Sequence, residues 1–253
     1  MKVIAQPESY SDMLERVFVT TVVSGITCTV ILASASPAVK VLLDSVQAET
    51  EIGPIKGIKA LYVLIPIVIA VISRIVLFHD RLSDLFRIRV IFDTRYILFP
   101  MARLSGHKVD KTMERRIRSA RESAMYRVFY PYAGFATPVI DRQLVRTALD
   151  NWGWFWVGFE SGFLFVVTGI FIEIIGGAIQ LIICVVALLI IALLLTIKWS
   201  ACRRSADRQV RAIIEDPQRK ADIHAYFSAM RKNPNNQSNG ECNNAVADSG
   251  APS

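Results

Sequence analysis

Three ionisable side chains interrupt otherwise apolar runs: Arg74 within residues 60–78, and Glu160 and Glu173 within residues 151–175. A carboxylate facing hydrocarbon costs several kcal/mol unless it is protonated, paired or reached by water, so such groups belong either at helix contacts or along an ion path. The two runs are expected to cross a bilayer in opposite directions, which puts Arg74 and Glu160 in the same half and makes them candidate partners, the alternative being that Arg74 snorkels to the inner headgroups about a turn away. If the acidic groups line a path, Glu173 stands at its outer mouth with Glu160 deeper, and both favour cations. Thr20, Ser24 and Thr27 add a second polar set in residues 17–39, with Thr21, Gly25, Cys28 and Ser34 alongside. Their spacing gives that helix one small, hydroxylated side, suited to water or to close packing. Gly158, Gly162 and Gly169 fall on one side of the third run at about 100° per residue, and Gly158-x-x-x-Gly162 is a spacing that lets another helix approach closely.

Arginines form the other group with chemical potential. Arg115, Arg116, Arg118 and Arg121 lie in one segment, and Arg203, Arg204, Arg208 and Arg211 in another. They are candidates for anionic headgroups or for an anionic nucleotide or nucleic-acid ligand, with aromatic neighbours limited to Tyr126, Phe129, Tyr130 and Tyr132. Glu114 with Arg118, and Arg118 with Glu122, have the spacing of intrahelical pairs.

Catalytic and metal chemistry find little support. Cys28, Cys184, Cys202 and Cys242 follow no pairing or ligand spacing, and His79, His107 and His224 are scattered. No phosphate loop, nucleophile elbow or dinucleotide fingerprint occurs. The expectation is a non-enzyme without metal or cofactor.

The elements that must position these groups follow from composition. Of 253 residues, 53% are hydrophobic and 20% charged, and mean hydropathy is +0.39. Crossing roughly 30 Å of hydrocarbon takes about 20 apolar residues, and four segments qualify: 17–39, 60–78, 151–175 and 176–197, the last two meeting at Gly176-Gly177. The expected fold is an all-α integral membrane protein of four transmembrane helices, with residues 1–16 and the basic helical insert 79–150 cytoplasmic, 40–59 external, 198–232 forming further basic cytoplasmic helices and 233–253 a disordered tail. Of the 29 Lys and Arg, 14 fall in residues 79–150 and 9 after Ile197, against 3 in the external loop, which sets both termini inside a cytoplasmic (inner or plasma) membrane. Trp152, Trp154, Trp156 and Trp199 fit an aromatic belt at the inner surface. Ala33-Ser34-Ala35 resembles a signal-cleavage site, but the apolar run is long for a signal and its lead carries Glu8, Asp12 and Glu15, so the segment is expected to stay.

Finer expectations follow from periodicity. Pro66 should bend the second span. Residues 80–104 read as a helix continuing that span or lying in the interface, and Lys108–Val128 as an amphipathic helix. Thr137-Pro138 reads as the start of a short helix ending at Asp150, and Asp216-Pro217 as the start of another.

In layout the chain is similar to small microbial antiviral-defence effectors that open or permeabilise a membrane on a cytoplasmic signal. Four spans are thin for enclosing water, so such a protein would act as a homo-oligomer in the lipid bilayer. The expected function is an oligomeric channel or permeabilising effector under a cytoplasmic signal. The alternative is a non-conducting membrane anchor or sensor that recruits a cytoplasmic partner protein.

Overall fold

A computed structural model describes residues 6–7, 9–46, 49–52, 55–134 and 138–232, with backbone alone for 49–52 and 55–58. In chain order the elements are α1 (Tyr10–Ala35), α2 (Pro37–Asp44), β1 (Glu49–Ile52), β2 (Ile55–Lys59), α3 (Ala60–Ile75), α4 (Phe78–Leu85) and α5 (Ile88–Phe92). A π-helical turn over Asp93–Leu98 then leads into α6 (Phe99–Leu104), followed by α7 (Lys111–Ser119) and α8 (Arg121–Ala124). A second π-helical turn, Met125–Phe129, leads into α9 (Tyr130–Ala133), and α10 (Arg142–Ile175), α11 (Ala178–Ile214) and α12 (Pro217–Lys232) complete the chain. Among the described residues the regular structure is helical apart from the antiparallel β1–β2 hairpin, which pairs Glu49 with Lys59 and Ile52 with Ile55. The expected tail at 233–253 and Thr137 lie outside the described residues.

Three helices, α1, α10 and α11, are long and apolar enough to cross a membrane, and α3 with α4 makes a fourth if that pair, bent by 63°, is one span. The contacts divide the chain into two units: Met1–Ile88 with Asp141–Ala206, and Arg89–Ile140 with Asp207–Ser253.

In the first unit α1 packs against α10 and α3. Its start is fixed by a capping box, in which Ser9 Oγ accepts from the Asp12 N–H and the Asp12 carboxylate accepts from the Ser9 N–H. The run expected to continue to Val39 breaks at Ser36, because Pro37 has no N–H for the helical ladder; Ser36 instead caps α2, accepting from the Val39 N–H at 3.4 Å. α1 meets α3 closely at Gly25, where a Cβ would stand 2.9 Å from Pro66 Cβ. Pro66 lies inside the continuous helix α3; the sharp change of direction comes after it, at Leu77, whose φ of 50° and ψ of 49° are left-handed. α10 starts nine residues before the expected third span and runs through it without a break, its N-terminus capped by Asp141, which accepts from the Gln143 N–H at 2.9 Å. No separate helix ends at Asp150. Gly176, at φ 87°, closes α10 by donating to Ile172 O, and Gly177 alone separates it from the start of α11. Cys28, Phe165, Ile172 and Cys184 form the buried core joining α1, α10 and α11.

In the second unit Leu98, Met101, Ile117, Val128, Val210, Ile213, Ile223 and Phe227 are each almost fully buried. At about 1.5–3 kcal/mol per buried large apolar side chain, they are ample to hold a unit of short helices together. The region from 80 to 104, expected as one helix, is divided at Arg87, which has φ 52°, and by the first π-helical turn. In that turn Phe99 N–H donates to Thr94 O, five residues back, and in the second Tyr130 N–H donates to Met125 O. α7 stops at Ala120, short of Val128.

Candidate functional site

Two polar assemblies stand out, one in each unit. The first is a seam between α1 and α10. Thr21, Ser24 and Cys28 share a face of α1, and Glu160, Ser161 and Thr168 are buried on α10. Across the contact Thr21 Oγ1 donates to Glu160 Oε2 at 2.8 Å, and the Ser24 and Ser161 hydroxyls are 2.8 Å apart. At the start of the seam Arg16, buried to 3% exposure, donates to Asp150 Oδ1 at 2.7 Å with its guanidinium 5.0 Å from the centre of the Trp154 ring. The partly buried carboxylate and the aromatic face together offset the cost of desolvating the cation.

The remaining hydroxyls of α1 turn back on their own helix. Thr20 donates to Arg16 O at 2.8 Å, Thr27 to Val23 O at 3.0 Å and Ser34 to Ile31 O at 2.7 Å. The candidate pair of Arg74 with Glu160 does not form. Glu160 is engaged by Thr21, while the Arg74 guanidinium sits 6.0 Å from the Phe18 ring centre in the last turn of α3, where a cation meets the negative end of the helix dipole. Glu173 is exposed, apart from this seam. The glycine face of α10 meets α11: a Cβ at Gly158 would lie 3.1 Å from Leu195 Cδ2, one at Gly162 3.3 Å from Ile191 Cγ2, and one at Gly169 3.9 Å from Cys184 Cβ. Chemically the seam is a set of mutually satisfied groups that fixes the rotation of α1 against α10.

The second assembly surrounds the two π-helical turns. Asp93, 6% exposed, opens the first turn and accepts from Arg121 Nη1 at 2.5 Å. Burial pushes the Asp93 carboxyl above its ordinary range, against the opposing pull of Arg121 and Arg89. Tyr130 lies in the same charge environment and is likewise raised, chiefly by burial, with Asp93 and Arg89 as neighbours. Its ring meets Tyr126 edge-on with centroids 5.3 Å apart, and both tyrosines are exposed, at 40% and 65%. Arg89 and Arg127 are exposed too. Elsewhere in this unit His107 and His224 stack with centroids 4.4 Å apart, His107 Nε2 hydrogen-bonding His224 O and His224 Nδ1 hydrogen-bonding Ser105 O.

Several of the arginines read as ligand candidates have internal partners, Arg121 with Asp93 among them. Arg116 Nη1 donates to the carbonyls of Met230 at 3.0 Å and Arg231 at 2.6 Å, closing the C-terminus of α12. Arg118 lies 3.9 Å from Glu114 and 5.9 Å from the Phe99 ring centre, and Arg211 donates to Asp207 at 2.9 Å. Arg115, Arg203, Arg204 and Arg208 are exposed, Arg203 and Arg204 in the first unit and the other two in the second. No group of three or more metal-ligating side chains occurs among the described residues. Sequence reasoning passed over Asp93, Arg16 and Asp150; the available signal for Asp93 was a lone carboxylate directly after the apolar run Val90-Ile91-Phe92.

Over residues 9–228 the sequence matches the profile of the YmfE protein family. No curated protein and no solved structure matches the chain.

Proposed function

The chain belongs to the YmfE protein family, and from its own geometry we propose a multi-pass membrane anchor: α1, α3, α10 and α11 are embedded in the cytoplasmic membrane with both termini inside, and the second unit is held at its inner face to recruit a cytoplasmic partner. The observation that carries this reading is the use of the polar side chains of α1 and α10 on each other: Thr21 on Glu160 and Ser24 with Ser161. Groups so paired stabilise helix packing in lipid and leave no free row of hydroxyls to replace the hydration shell of an ion. The apolar outer side of the first half of α11 supports embedding, with Ile179, Ile182, Leu189 and Leu193 each more than 60% exposed. Exposed Arg115, Arg204 and Arg208 suit anionic headgroups at the inner surface.

A conducting homo-oligomer under a cytoplasmic signal, gated by a protein or by a nucleotide or nucleic-acid ligand, is the second reading. It rests on Glu173 and Thr27, whose side chains face outward from the bundle. Ion flux in liposomes carrying the purified protein separates the two. The anchor gives flux equal to empty liposomes. Flux that disappears in Glu173→Gln or Thr27→Val establishes the channel instead.

A further inference from the structure

α4 divides into three sectors around its axis at about 100° per residue. One packs on α10: Phe78 meets Phe163 edge-on with centroids 5.1 Å apart, His79 meets Trp156 at 6.2 Å, and Leu82 and Ser83 are buried. Just past the helix end, Phe86 meets Phe159 at 5.5 Å. The second sector is charged, with Asp80, Arg81 and Asp84. The third is the apolar edge at Leu85, 72% exposed, flanked in the chain by Ile75 at 74%, Leu77 at 54% and Phe86 at 55%.

Two orientations compete. As a continuation of α3 through the bilayer, α4 would carry the exposed charges of Arg81 and Asp84 into hydrocarbon at a high cost, together with Asp80, whose carboxylate lies 3.6 Å from His79 Nε2. The 63° bend at Leu77 removes that cost by turning the helix aside. Its partners on α10, Trp156 and Phe159, continue the aromatic cluster of Trp152, Phe155 and Trp199, whose indoles favour the depth of the headgroups. A helix held at that depth, with one side on protein, one charged and one apolar, has the distribution of an element lying in the interface. Left-handed residues bracket it, Leu77 at φ 50° and Arg87 at φ 52°. Neither is a glycine, so each left-handed conformation carries a local strain that packing must offset.

We infer that α4 is an in-plane helix of the inner leaflet, with Leu85 and its apolar neighbours docked on phospholipid at the acyl boundary and Asp80, Arg81 and Asp84 in the headgroup water. We assign lipid to the exposed edge because the chain reaches it directly from α3, where Val68, Ile69 and Ile72 are each 47–53% exposed, through Ile75 and Leu77, which are themselves exposed. This inference rests on the membrane-anchor reading.

The test places the photo-cross-linker p-benzoylphenylalanine in the full-length protein, in native membranes, at Leu85, at Asp84 or at Ile182 of α11, and identifies adducts by mass spectrometry. Phospholipid adducts at Leu85 and Ile182, with at least a fivefold lower yield at Asp84, are expected. Lipid at Ile182 with protein adducts or none at Leu85 overturns the in-plane helix and leaves the anchor reading standing. Lipid at Asp84 as readily as at Leu85 also overturns it, in favour of a spanning helix. Absence of lipid at Ile182 removes the anchor reading and the inference together.

Discussion

Thr21 Oγ1 donates a 2.8 Å hydrogen bond to Glu160 Oε2, joining positions 139 residues apart and engaging a carboxylate buried between α1 and α10. This contact makes a set of polar residues in apolar helices a matter of packing.

Thr21→Val deletes the donor and leaves the carboxyl without it, at a cost of about 1–3 kcal/mol. Glu160→Gln retains an acceptor and costs less. In a double-mutant cycle of Thr21→Val with Glu160→Leu, which removes the acceptor, read by thermal unfolding of the solubilised protein, the pair should show a coupling energy of about 1 kcal/mol. Additive single effects would show that Thr21 and Glu160 do not act together.

The glycine face yields a graded prediction. Gly158→Leu forces a side chain into Leu195, where even a Cβ comes within 3.1 Å, and should destabilise the protein by about 1–3 kcal/mol. Gly169→Ala meets its nearest neighbours at 3.9 Å and should be nearly neutral, or slightly stabilising because alanine favours the helix. Equal losses at the two positions would contradict the packing of α10 on α11.

Arg116→Ala removes both contacts to the terminal carbonyls of α12. The expected loss is about 1–2 kcal/mol for a charge-assisted interaction, seen as faster proteolytic cleavage within residues 217–232. Arg115→Ala, one residue earlier and exposed, should leave cleavage unchanged.

Two carboxylates of the second unit should respond to acid with opposite signs. Asp93 is raised by burial, so its ionised form weighs against the fold above its native pKa, and this penalty is relieved as pH falls through that value. Asp110 is lowered, first by the Met113 N–H that it caps, so its contribution is present above the unfolded carboxylate range and lost as pH falls. Measured from pH 7 down to about 3, the stability of the parent relative to Asp93→Asn should rise on acidification, and relative to Asp110→Asn it should fall once the pH drops through the unfolded carboxylate range. Parallel trends would refute the assignment.

How far the sequence reached depended on how local each signal was. The glycine face of α10 could be read because helical phase is a property of one segment, and its neighbour α11 follows in the chain after a two-glycine turn. Arg74 and Glu160 were matched in depth, but depth leaves rotation about the helix axis undetermined, and rotation turned Glu160 toward Thr21. Arg116 read as a surface cation because its acceptors, the end carbonyls of α12, lie 114 and 115 residues away and carry no sequence signature. The π-helical turns were missed for a related reason: an i to i−5 bond leaves the apolar pattern almost intact while shifting the face that follows.

The reversal between α10 and α11 has one more implication. With Gly176 spent on closing one helix and Gly177 alone before the next, the hairpin holds no spare chain to absorb an error. Adding a single residue between Gly169 and Cys184 would act like a slipped gear tooth, carrying Ile191 and Leu195 about 100° around the axis and away from the notches that Gly162 and Gly158 leave for them. Length here is therefore as constrained as residue identity, and insertions or deletions at this corner should be tolerated far less well than substitutions.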